Sequence, residues 1–306
     1  MNQAVSILGV ALMKSLAHVP LGLLRALGWV LGAVLFGMVR SRRRVVMANL
    51  QVCFPELSHD QRRGLAWQTF IHFAQAWLDR SWLWHAPAHV VRQRLQLTGA
   101  VHELTQPSPE TALTETPTSQ CPAVIFAPHF MGLDAAWTTL TQQVPRRINT
   151  IYFPQVNPVV DRWIMAGRQR FGQGQLVQRG EGAQTLVARL RAGEPLYLLP
   201  DLNYEPAESL FVPFFGHVAA TVPSLSRFAK LGRAKVVPVL SKLTPKGYTI
   251  EVLPAWDDFP TQDVEADTAL MNQRLETYIR TMPSQYYWVH RRFKDLPPGV
   301  PAVYRK

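Results

Sequence analysis

Short apolar runs at residues 123–127, 148–153, 196–199, 236–240 and 248–253 alternate with helix-patterned stretches, and this alternation narrows the fold more than any other feature of the chain. Runs of this length, bounded by turn residues, read as buried strands. The stretches between them carry helix signals. Asn157-Pro158 opens a helix that ends near Gly172, a second covers 181–192 before Gly193, and a third covers 221–231 before Gly232. A last helix spans about 262–282, with Met271, Leu275, Tyr278, Ile279 and Met282 on one face. Strand–helix alternation predicts a three-layer α/β domain with a largely parallel sheet over residues 121–306.

The preceding chain is of another kind. Residues 46–104 read as a helical segment: Ser58 and Gln61 form a capping box, and Phe70, Phe73, Ala74, Trp77 and Leu78 share one stripe. Residues 105–120 are rich in Pro, Ser and Thr without an apolar face, and predict a flexible insertion. Residues 1–45 read as a membrane anchor. Residues 21–39 are apolar except for Arg25, which could snorkel to headgroups, and Arg40, Arg42, Arg43 and Arg44 follow. That basic run belongs on the cytoplasmic side. A spanning helix and a helix lying in the interface both fit the pattern, as does a buried core helix. A cleavable signal peptide fits poorly, because the first basic residue is Lys14 and no small-residue cleavage site follows the apolar core.

Charge bears on partners. Lys and Arg number 32 against 21 Asp and Glu, a net +11 that favours anionic partners. The basic residues are scattered or juxtamembrane, and none of the usual nucleic-acid-binding modules is present. Nine Trp suit a lipid interface. The two cysteines, Cys53 and Cys121, offer neither a disulfide framework nor a zinc knuckle, and read as ordinary buried thiols.

In open α/β sheets ligands bind beyond the carboxyl ends of the strands. Two such ends carry ionisable residues: one runs into Pro128-His129-Phe130-Met131-Gly132-Leu133-Asp134, the other into Pro200-Asp201-Leu202-Asn203-Tyr204. On one continuous helix His129 and Asp134 would lie about 140° apart. They converge only if His129 sits in the turn and Asp134 in the first helical turn. A carboxylate on one imidazole nitrogen fixes the tautomer and frees the other as a base for a substrate hydroxyl. With no Ser or Cys beside the pair, direct transfer is more natural than a covalent intermediate. By itself H-x4-D is a weak pattern, since nearby His/Asp pairs often only cap turns.

The segment PHFMGLD resembles the H-x4-D/E motif of the glycerolipid acyltransferase superfamily. Further stretches resemble the late acyltransferases of lipid A biosynthesis, the lauroyl/myristoyl transferase family. These are NLQVCFPELS at 49–58, NPVVDRWIMAGRQRFG at 157–172, PDLNY at 200–204, FVPFFGHVAAT at 211–221 and PSQYYWVHRRFK at 283–294, in the family's order. The resemblance implies an O-acyltransferase with His129 as general base, Asp134 as its partner, and Arg168 binding the donor or stabilising an oxyanion. It implies substrate-binding roles for Asp201, Tyr204, Phe214, Phe215 and Gly216. Asn203 departs from the acidic residue the family shows there. Trp288, His290, Arg291 and Arg292 form either a membrane- or phosphate-facing patch or a packed tail, with His290 structural.

The implied donor is an acyl-carrier-protein thioester, the acceptor a lipid A precursor, and the location the cytoplasmic face of the bacterial inner membrane, among its lipids. No metal or other cofactor is expected, and the H-E-x-x-H pattern is absent. A phospholipid or aminolipid acyltransferase shares the His/Asp motif and is the nearest alternative. A non-catalytic membrane scaffold is a remote one.

Overall fold

The computed structural model describes residues 3–105, 121–178 and 182–304. Four helices come first: α1 (Gln3–Leu16), α2 (Leu21–Met38), α3 (Arg40–Cys53) and α4 (His59–His85). A short α5 (Ala88–Gln93) leads into β1 (Leu95–Gly99) and α6 (His102–Thr105). Next come β2 (Ala123–Phe126), α7 (Leu133–Gln143), β3 (Asn149–Tyr152), α8 (Pro158–Arg168), β4 (Gln175–Gln178), α9 (Ala183–Arg191) and β5 (Leu196–Leu198). A hairpin of β6 (Leu210–Phe214) and β7 (His217–Thr221) precedes α10 (Ser224–Gly232), β8 (Lys235–Thr244), β9 (Gly247–Val252) and α11 (Val264–Thr281).

Seven strands form one sheet in the order β1-β9-β8-β2-β5-β3-β4, parallel at every step except β8 to β9. Strand pleating sends successive side chains to opposite faces. Val124 and Phe126 of β2 therefore enter one apolar core, while Ala123 and Ile125 enter the other. Helices cover both faces, which gives the three layers that the alternation predicts.

The edges and ends of elements differ from expectation. β1 pairs with β9 from within the stretch expected to be helical. β1 and β4 are edge strands with exposed or half-buried positions, so neither shows a continuous apolar run. The helix expected from residue 221 starts at Ser224, because Thr221 ends β7 with its hydroxyl accepting hydrogen bonds from Arg292 and Asn272. The capping box at Ser58 and the Asn157 cap are both present. Residues 106–120, expected as the flexible insertion, and Glu181 lie outside the described residues.

The helix α2 lies along α4, and two glycines permit the approach. A Cβ on Gly28 would fall 2.6 Å from Gln75, and one on Gly32 would fall 2.6 Å from the Ile71 Cα. The opposite side leaves Leu23, Leu27, Trp29, Val30, Val34 and Met38 exposed. By length and composition α2 suffices to cross a membrane. Arg25 does not point outward as a snorkelling residue would. Its guanidinium sits 2.7 Å from Asp79, which is fully buried, and it lies over the Tyr248 ring. A buried carboxylate needs a paired charge, and Arg25 is the cation within reach.

Candidate active site

Register sets the site. β2 and β5 are parallel neighbours with Phe126 opposite Leu198. Each strand then runs through a proline, and three residues past the register pair come His129 and Asp201. The two side chains meet there, with His129 Nδ1 2.8 Å from Asp201 Oδ1 and the His129 backbone N–H donating to Oδ2 at 2.9 Å. Tyr286 OH donates to the same Oδ2 at 3.0 Å. Burial pushes the Asp201 carboxyl up, but His129 and these hydrogen bonds outweigh it and hold the group below its ordinary value.

The pairing of His129 with Asp134 is therefore corrected. Asp134 sits in the first turn of α7, as expected, but its carboxylate turns to two arginines. Arg80 Nε reaches Oδ2 at 2.7 Å and Arg168 Nε reaches Oδ1 at 2.8 Å. Burial raises the carboxyl, yet the two guanidiniums prevail and bring it from 3.8 to about 2. Gly132 is required at the turn: a Cβ would meet the Tyr248 ring at 2.8 Å and the Ser241 hydroxyl at 2.9 Å.

Arg168 ends α8, and its carbonyl accepts from Trp137 Nε1 at 2.7 Å. Gly167 lets α8 close onto Trp84, where a Cβ would fall 2.3 Å from the ring. Arg80 belongs to α4 and stacks over Trp77, with its centre 4.4 Å from that ring. Sequence reasoning missed Arg80, which looks like an ordinary helix charge. The available signal was its place between Trp77 and Trp84, three and four residues away on the same helix face.

A cavity of about 760 Å³ opens beyond these strand ends, lined by His129, Asp134, Arg168, Tyr204 and His290 among others. Leu186, Leu198, Phe228 and Leu231 contribute apolar lining to the same cavity. With Nδ1 donating to the Asp201 carboxylate, the neutral form of the ring presents its acceptor lone pair at Nε2, which has no hydrogen-bond partner among the described residues. His290 accepts from the Asn203 N–H through Nε2; burial, then His129 and Arg292, lower it to about 4, so it is neutral at neutral pH. Asn203 also donates to Asp295 at 2.7 Å and ties the loop after β5 to the C-terminal segment.

Other expected site residues lie elsewhere. Asp201 supports His129 from behind and is itself fully buried. Phe214, Phe215 and Gly216 do not line the cavity. Phe215 and Gly216, with φ of 50° and 72°, form the two-residue turn between β6 and β7, and Phe214 and Phe215 are buried in the core. A bulky residue at positive φ needs outside support. Phe215 has it from Phe54 and Trp288 and from the Glu276 carboxylate, which accepts its N–H at 2.6 Å. Trp288 and Arg292 are buried, so this part of the C-terminal motif is a packed tail. Cys53 is likewise buried. No cluster of His, Cys, Asp and Glu fit to hold a metal ion occurs among the described residues.

Residues 1–295 match the family described as bacterial lipid A biosynthesis acyltransferase. The chain is 28% identical to the lipid A biosynthesis lauroyltransferase of Escherichia coli K12, over 97% of this chain and 94% of the relative. It is 30% identical to a lipid A biosynthesis acyltransferase of Haemophilus influenzae, over 95% and 88%. It is 28% identical to the lipid A biosynthesis myristoyltransferase of E. coli K12, over 98% and 90%.

Proposed function

The chain belongs to the bacterial lipid A biosynthesis acyltransferase family and is an acyltransferase, and from that premise we propose that His129 is the general base for transfer of a fatty acyl group from acyl carrier protein to a hydroxyl of a lipid A precursor. The observation that carries the reading is the His129 Nδ1–Asp201 bond, which leaves Nε2 as a free acceptor at the cavity.

The acceptor hydroxyl gives its proton to Nε2 as its oxygen attacks the thioester carbonyl. The oxyanion that forms needs preorganised positive charge. Arg168 lines the cavity, and with Nε committed to Asp134 its terminal nitrogens remain to meet that oxygen. Collapse breaks the C–S bond, and the proton on Nε2 returns to the departing thiolate. An ester and a free thiol result, and Asp201 stabilises the intermediate imidazolium without taking the proton. Among the described residues no Ser or Cys bonds to His129, which favours this direct route.

Membrane attachment is part of the same proposal. The exposed faces of α1 and α2 lie in the cytoplasmic leaflet of the inner membrane, with Arg40, Arg42 and Arg44 among anionic headgroups. The Gly28–Gly32 face of α2 is committed to α4, which favours a helix lying in the interface over one that spans. The basic surface suits both an acidic carrier and a phosphorylated acceptor.

The deciding measurement is lipid A mass spectrometry from a host expressing the wild type or His129→Ala at matched membrane levels. Loss of one acyl unit in the variant is expected. An unchanged profile would remove the lipid A acceptor and direct attention to phospholipids and aminolipids of the same extracts.

A further inference from the structure

The loop between β3 and α8 presents its side chains in an unusual way. Phe153 and Val156 are 52% and 105% exposed, and exposed apolar side chains carry meaning where they join a larger apolar surface. The exposure is not slack. Asp161 of α8 accepts from Tyr152 OH at 2.5 Å and from the Gln155 N–H at 2.6 Å, which holds the loop's outward shape. Phe153 and Gln155 also line the catalytic cavity, so this loop is one lip of its mouth.

The lip continues into α1. Asn157 donates to Ser6 at 2.9 Å and fixes the start of α8 against that helix. On its outer side α1 exposes Val5, Leu8 and Leu12, spaced as one helical stripe. Lys14 and Arg162, exposed on α1 and α8, form no salt bridge among the described residues. Apolar side chains beside exposed cations fit the boundary of a bilayer with anionic headgroups.

We propose that the β3–α8 loop dips into the bilayer beside α1, so that the catalytic cavity opens at the lipid surface. This rests on the membrane attachment proposed above. It assigns the loop a task that attachment alone does not require: a lipid acceptor keeps its existing acyl chains in the membrane while its hydroxyl enters the cavity.

Nitroxide labels on the full chain in phosphatidylethanolamine/phosphatidylglycerol vesicles test the proposal. Val156→Cys, Leu8→Cys and Trp29→Cys would each be labelled in a Cys121→Ser background, with exposed Gln273→Cys on α11 as the water reference. Lipid-dissolved oxygen should reach the labels at 156, 8 and 29, and a water-soluble nickel chelate should be excluded from them. A label at 156 that behaves like the one at 273 while 8 and 29 stay in lipid would overturn the lip and leave attachment intact. Water exposure at all of them would overturn both. As a second test, Val156→Asp should slow transfer to a vesicle-embedded acceptor about tenfold. It should leave the rate on detergent-dispersed acceptor unchanged, and equal rates in vesicles for variant and wild type would reject the proposal.

Discussion

His129 and Asp201 stand 72 residues apart in the chain, yet Nδ1 and Oδ1 are 2.8 Å apart because β2 and β5 are neighbours in register. Both carboxylate oxygens are in use: Oδ1 accepts from the ring, and Oδ2 accepts from the His129 N–H and from Tyr286. The division of labour between these oxygens makes Asp201 more than an orienting charge.

Replacing Asp201 with Asn tests that division. The amide oxygen would take the place of Oδ2, where two donors converge, and the amide nitrogen would face Nδ1. Nδ1 must then accept, which puts the proton on Nε2 and abolishes the base. Turnover should fall about a thousandfold or more, as when a triad carboxylate is replaced, with KM little changed. Steady-state acyl transfer by the purified variant measures both; near-normal turnover would show that the tautomer is set by something else.

Asp134 predicts a different phenotype, in stability. It neutralises Arg80 and Arg168, and Asp134→Ala would leave two guanidiniums partly buried without a counterion. Breaking a buried pair on one side costs about 3–5 kcal/mol. Thermal unfolding should therefore shift markedly for Asp134→Ala and little for Gln273→Ala, an exposed position on α11. Equal melting temperatures for the two variants would contradict the assignment.

The same carboxylate gives an acid limit. Its folded value, about 2, is depressed from 3.8, so its stabilisation is complete above the ordinary carboxylate range and is lost as pH falls from 3.8 towards about 2. Asp201 is depressed too and acts in the same direction. Asp79 runs the other way, raised by burial against the opposing pull of Arg25. Denaturant titration between pH 5 and pH 2, values of roughly the span over which paired carboxylates protonate, should show the acid-side loss reduced in Asp134→Asn. An unchanged acid slope would assign that loss to other groups.

Arg25 links the apolar helix to the catalytic body. Arg25→Ala would strand the Asp79 carboxylate, which is fully buried and bonded to Tyr248 and Trp82. The next residue along α4 is Arg80, which holds Asp134. The variant should lose about 3–5 kcal/mol, and Arg25→Ala with Asp79→Ala together should recover part of that loss. Double-mutant unfolding experiments would show strict additivity if the pair were unimportant.

Much of this protein follows from short-range pattern. The alternation of apolar runs and capped helices gives the three layers, because burial on both faces demands continuous apolar strands and the cap at Asn157 is local chemistry. The positions of His129 beyond β2, Asp134 in the first turn of α7 and Asp201 beyond β5 were legible for the same reason. The edge strands β1 and β4 were not, since half-solvated strands lack the continuous apolar run.

Which of these residues touch was a tertiary decision. Proximity in sequence favours Asp134 as the partner of His129, but strand order brings Asp201 beside it and turns Asp134 towards helices α4 and α8. Arg80 looks like a helix-surface charge in the sequence and Arg25 like a snorkelling one, and they become partly buried counterions of Asp134 and Asp79 only when α4, α7 and α2 pack together. Phe214 and Phe215 read as cleft residues, yet the hairpin folds them into the core. Periodicity acts over a few residues and is written in the sequence. Pairing of charges depends on which elements become neighbours, and that is fixed only when the sheet assembles.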